Sequence, residues 1–154
     1  MAENILQLTV QLPSLHWEAA HAMTRAATQK AEELSIRVSV AVMDRGGNLL
    51  TFARHADAPF HTTRIAQDKA TTAAGFGLPS RQWWDLLEQM DSPGLKAGLP
   101  GTDRFVVFGG GLPVYSGSDC VAGVGVSGGS EEEDEICARA ALEAVGLRAE
   151  PDPG

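Results

Sequence analysis

The chain has 154 residues, 44% of them apolar, which is enough for one hydrophobic core and includes nothing that reads as an interdomain linker. A formal net charge of -8 would be repelled by a phosphate backbone and no Lys/Arg cluster offsets it, so nucleic acid is excluded as an expected partner. No run approaches the roughly 18 apolar residues of a membrane span, and Met1 to Val10 lacks a basic start followed by an unbroken apolar stretch, so a cytoplasmic protein with no membrane partner is expected.

In chain order, Ser14 is placed to cap a helix whose apolar residues Leu15, Ala19, Met23, Ala26, Ala27 and Leu34 recur at helical spacing. Val38, Val40 and Val42 alternate with Ser39 and Ala41, and Asp44 to Asn48 turns the chain into a second strand, Leu49 to Arg54. His61 to Phe76 reads as a helix with a small-residue surface of Ala66, Ala70, Ala73 and Ala74, suited to close packing. Gly77, Pro79 and Ser80 stop it and start another helix, Arg81 to Met90, which carries Trp83, Trp84 and Leu87. Asp91 to Asp103, with Pro93, Gly94, Gly98, Pro100 and Gly101, reads as a covering loop.

Phe105–Phe108, Leu112–Tyr115 and Val121–Val126 read as three further strands. Ser130 to Glu133 fits a capping box that opens the last helix, with Ile136, Cys137, Ala140, Ala141, Ala144 and Val145 as its buried stripe and Gly146 as its C-cap. The expected fold is therefore α/β in the α+β sense. It has the order α-β-β-α-α-β-β-β-α, with a mostly antiparallel sheet of five strands packed against helices. It forms a single domain over residues 1–154, with its core in 14–146 and a flexible tail at 147–154.

Arg104 to Glu135 carries the densest chemical signal. Gly109, Gly110 and Gly111 form a turn that allows close approach of a ligand or of another backbone, and a tight turn with no ligand is the alternative. Gly123 to Gly128 matches a GxGxxG spacing, but it lies in and after a late strand with no βαβ unit, which makes it a false positive. Cys120 and Cys137 are too few for a zinc site and are expected to be small buried residues. No serine sits in a nucleophile elbow.

Five ordered segments, VSVAVMDRGGNLLTFAR (38–54), IAQDKATTAAGF (65–76), PGLKAG (93–98), FGGGLPVYSG (108–117) and VAGVGVSGGSEEEDE (121–135), resemble the GlcG/HbpS-type family, which includes the C-terminal domain of PduO-type proteins. The resemblance covers about residues 14–146. It implies a compact domain with a profilin-like sheet, assembly into homo-oligomers, and an association with haem or corrinoid binding rather than one fixed activity. Where the family often reads Met-Asp-Gly-Ala, this chain has His55-Ala56-Asp57-Ala58, followed by His61.

Neutral imidazole is a good iron ligand, so His55 and His61 are the candidate metal or haem ligands, with solvated loop histidines as the alternative. His16 and His21 point in different directions from one helix and form no paired site. Lys69, in the QDKA-like segment, is placed to hold an anionic group whose oxygens the amides of Gly109, Gly110 and Gly111 receive; a surface ion pair is the alternative. Asp134 is the candidate acid or base, or a first-turn charge favoured by the helix dipole. Asp44 reads as a turn former.

Two functions are thus expected. One is a small-molecule or tetrapyrrole-binding protein with a pocket at an oligomer interface, haem being its candidate cofactor. The other is a cofactor-independent lyase or isomerase acting on a small acid through Lys69 and Asp134.

Overall fold

The computed structural model describes residues 8–154. It is an antiparallel sheet of four strands in the order β2-β1-β4-β3, formed by β1 (Ser39–Asp44), β2 (Leu49–Arg54), β3 (Gly111–Ser116) and β4 (Asp119–Ser127). Five helices complete it: α1 (Trp17–Glu33), α2 (His61–Phe76), α3 (Gln82–Gln89), the short α4 (Pro93–Gly98) and α5 (Glu131–Val145). A 3-10 turn, Leu99–Gly101, follows α4.

Among the described residues the expected five strands are four. Phe105–Phe108 pairs with no strand; its Phe105 ring instead joins Phe76 and Trp83 in an edge-to-face aromatic cluster, and the Val106 amide donates to Thr72 Oγ1 on α2 at 3.0 Å. The expected loop at Asp91–Asp103 contains α4 and the 3-10 turn, because Pro93 and Pro100 sit at first-turn positions where a missing N–H costs no hydrogen bond. The cap of α1 is His16, whose Nδ1 accepts the Glu18 amide at 3.2 Å, in place of Ser14. Asp44 is the turn former expected of it, with Oδ1 accepting from the amides of Gly46 and Asn48.

Both faces of the sheet are covered. Val40, Val42, Val124 and Val126 pack with α1 and α5 in the main core, through Met23, Ala27, Cys137 and Ala141. Their strand neighbours Ala41 and Met43 face the other way, onto Ala66 and Ala70 of α2.

On that second face α2 comes unusually close to β4. A Cβ on Gly125 would collide with the carbonyl oxygen and amide of Ala66 and Ala70, and one on Gly123 with those of Ala70 and Ala74. Two glycines of the GxGxxG spacing therefore admit a helix, while the third, Gly128, has φ +147° and comes against the backbone of Arg37 and Val38 just before β1. The alanine face is likewise consumed inside the chain, since Ala66, Ala70 and Ala73 are fully buried.

The outer edge of β3 is closed residue by residue. The Gly111 amide donates to Ser80 Oγ at 2.9 Å, Pro113 has no N–H, and the Tyr115 amide donates to the Arg148 carbonyl at 2.7 Å. That last contact brings the segment expected as a tail back along the strand, with Ala149 buried in the core cluster and the Asp152 amide donating to Gly117.

Replacing Gly125 by Val should lower stability by about 1–3 kcal/mol or more through overpacking. Gly75, in α2 with open space around its Cα, should instead gain about 0.5–1 kcal/mol when replaced by Ala. Urea midpoints of the two variants check the pair, and equal effects would refute the close-approach account.

Candidate functional site

Lys69 lies in α2 four residues before Ala73, so it points at the end of β4 rather than at solvent, and only 2% of it is exposed. Its Nζ donates to the Val126 carbonyl at 2.8 Å and to Asp134 Oδ2 at 2.9 Å, while Asp134 Oδ1 accepts the Gly129 amide at 2.8 Å. Asp134 is equally buried. The ammonium also lies 5.3 Å from the centroid of the Phe108 ring, within cation–π range. Burial pushes the Lys69 ammonium down against the opposing charge of Asp134, and pushes the Asp134 carboxyl up against the charge of Lys69.

The glycine turn closes over this pair. Gly110 has φ +116°, and a Cβ there would stand 2.6 Å from Lys69 Nζ and 2.6 Å from the Val126 oxygen. A side chain is absent because the ion pair fills the space. The amides expected to receive an external anion have partners within the chain at two of the three positions: Gly109 N–H donates to Glu131 Oε2 at 3.1 Å and Gly111 N–H to Ser80 Oγ at 2.9 Å. Ser80 Oγ also lies 2.7 Å from the Phe108 carbonyl, tying the turn to the start of α3.

Lys69 and the three glycines, expected together, lie together, and Asp134, the candidate acid or base, is the partner of Lys69 among them. Ser80, Arg81 and Glu131, which complete the surroundings, were not foreseen. Glu131 reads as ordinary helix-start charge, and no local pattern in the sequence links Ser80 or Arg81 to the turn.

Arg81 Nε donates to Glu135 Oε2 at 2.7 Å, and its Nη2 lies 3.7 Å from Glu132 Oε1. Beside it runs a groove of about 600 Å³ lined by Arg81, Trp84, Asp85, Phe108 and Glu131.

The two histidines are elsewhere. His55 follows β2 directly and is exposed, its Nδ1 accepting the Asp57 amide at 3.1 Å. His61 opens α2, also exposed, with its ring stacked on Phe60 at a centroid distance of 4.2 Å. A groove of about 190 Å³ between the end of α1 and β2 is lined by His55 with Ala31, Ile36, Val38 and Ala53. Among the described residues no group of three or more His, Cys, Asp or Glu side chains could hold a metal ion.

Breaking the buried pair from one side leaves an unpaired buried charge. Lys69→Met should therefore cost about 3–5 kcal/mol, and adding Asp134→Leu should recover part of that loss. Chemical denaturation of the single and double variants checks the sign, and a double variant no better than the single would refute it.

Burial, with the Asp134 charge adding, pushes the Cys137 thiol up to about 11, and burial also pushes Cys120 up. At pH 8 the Cys137 thiolate is about one part in a thousand, so iodoacetamide should leave Cys137 unlabelled in the native protein and label it after denaturation. Rapid native labelling, read by mass spectrometry, would contradict this.

Residues 15–143 match the family described as "Haem degrading protein HbpS-like". An uncharacterized 15.0 kDa protein in the dhaT-dhaS intergenic region of Citrobacter freundii is 36% identical over 134 residues, covering 86% of this chain and 93% of that protein. The corrinoid adenosyltransferase PduO of the same organism is 31% identical over 136 residues, and the match takes 88% of this chain but 40% of PduO.

Among solved structures, HbpS of Streptomyces reticuli, as a double mutant, superposes with a TM-score of 0.84 at 33% identity, covering 95% of this chain and 97% of the other. A complex of PduOC with haem gives a TM-score of 0.80 at 30% identity, covering 89% and 99%. With most of its length matched by the family and by these relatives, the chain belongs to the HbpS-like family.

Proposed function

We propose that this protein binds haem or a similar planar tetrapyrrole, with His61 as the axial ligand and a second copy of the chain completing the pocket. The observation that carries the reading is the state of the His61 ring. It is exposed, it is backed by Phe60, which is itself 75% exposed, and among the described residues it makes no side-chain hydrogen bond. A free imidazole nitrogen beside an uncovered aromatic ring offers iron ligation and an apolar seat for a macrocycle edge.

His55 is less suited. Its Nδ1 accepts a backbone N–H, so the neutral ring must carry its proton on Nε2, and that nitrogen then has no lone pair for iron. A relative at 30% identity forms a complex with haem, which supports the same ligand class here. Bound haem would supply a ligatable iron; the chain's own contribution is the imidazole and the apolar surface beside it.

His61 and Phe60 lie on the open surface of the chain, with Phe60 75% exposed. A tetrapyrrole held by one chain alone would stay largely uncovered, which favours a homo-oligomeric, interface-built site in a cytoplasmic protein. The lyase or isomerase reading draws less support, because Lys69 and Asp134, the groups it needs for anion holding and proton transfer, are buried against each other.

Haemin titrated into the protein should produce a Soret band that saturates. His61→Ala should weaken binding by at least about tenfold or shift the band, and His55→Ala should leave both unchanged. Light scattering should show a species larger than the monomer at micromolar concentration. A protein that never titrates with haemin, or a His61→Ala variant with the parent spectrum and affinity, would overturn the assignment.

A further inference from the structure

The groove beside the glycine turn is separate from both histidines and unused by the haem reading. Two of its walls are aromatic side chains that the fold leaves uncovered, Trp84 at 58% exposed and Phe108 at 38%. Its volume of about 600 Å³ lies within the roughly 300–1,000 Å³ of small-molecule sites.

The charges around it favour one sign. Arg81, its one cation, is already neutralised by Glu135 at 2.7 Å and Glu132 at 3.7 Å. Asp85 makes no hydrogen bond or ion pair among the described residues, and Glu131 has only the Gly109 amide on one of its two oxygens. Asp85 is therefore uncompensated, and although the Glu131 charge also acts on Arg81 and Lys69, the carboxylates around the groove (Asp85, Glu131, Glu132, Asp134, Glu135) outnumber the cations (Lys69, Arg81, Arg139), on a chain of formal net charge -8. The Phe108 ring already lies beside the Lys69 ammonium, 5.3 Å from its centroid, so Phe108 offers mainly apolar contact and the exposed Trp84 indole is the π system left for a further cation.

From this charge complementarity we propose that the groove binds a small organic cation with an apolar head, of the quaternary ammonium or aromatic amine class. The head lies against Trp84 and Phe108, and Asp85 and Glu131 balance its charge.

The probe is choline, compared with 3,3-dimethylbutanol, its neutral carbon isostere, by NMR titration of the haem-free protein. Choline should perturb the Trp84 indole and Phe108 signals saturably, and the alcohol should bind at least about fivefold more weakly. Trp84→Ala and Asp85→Asn, both at exposed positions, should each weaken choline binding by roughly two- to fivefold, and added salt should weaken it further. Haemin binding should be the same in these variants as in the parent, which separates failure of this site from failure of the haem reading. Equal binding of the cation and the alcohol, no perturbation by choline at tens of millimolar, unchanged affinity in both variants, or preference for benzoate over choline would each overturn the proposal.

Discussion

One buried ion pair joins the parts of this protein that are distant in sequence. Lys69 belongs to the helix under the sheet, Asp134 to the helix beyond the last strand, and the ammonium also holds the carbonyl of Val126 where β4 ends. Removing both charges from water is costly, and their attraction offsets that cost only when the geometry is good and the remaining lone pairs and protons are matched. Here they are matched, by Val126, by the Gly129 amide and by the Phe108 ring. The pair thereby sets the position of α5 against α2, and with it the conformation of the glycine turn, since Gly110 has to leave room for both side chains.

A second constraint works with the first. The helix–sheet separation on the α2 face is set by Gly123 and Gly125, and that short distance is what lets a lysine on α2 reach past the end of β4 to Asp134. A wider spacing would move the ammonium away from its partners and leave a buried cation unpaired. The fold thus couples a packing feature, two absent side chains, to an electrostatic one.

Local chemistry made part of this legible from the residues alone. The Asp44–Asn48 turn, the Ser130–Glu133 capping box and the Gly146 stop depend on neighbours within a few positions, and all three are present. Phe105–Phe108 has the composition of a strand, yet its partners, Phe76, Trp83 and Thr72, are aromatic and hydroxyl side chains that no local pattern announces.

The candidate site divides in the same way. Lys69 and Asp134 stand out by their places in the QDKA-like segment and at the start of the last helix, whereas the roles of Ser80, Arg81 and Glu131 arise from contacts across more than twenty positions. For the glycines, a spacing reserved elsewhere for nucleotides serves helix docking at Gly123 and Gly125 and a close backbone crossing at Gly128, because glycine admits any close neighbour, and the sequence does not say which.

The closed outer edge of β3 has a consequence for symmetry. Ser80, Pro113 and Arg148 between them leave that side of the sheet without a free donor at Gly111, Pro113 or Tyr115, while among the described residues no strand lies beyond β2. A sheet open at both sides can add copies head to tail into a ribbon, because each copy then offers one edge and accepts at the other. With β3 closed, that head-to-tail addition has no edge to proceed through, and the residues that close it act as a terminator against fibre formation.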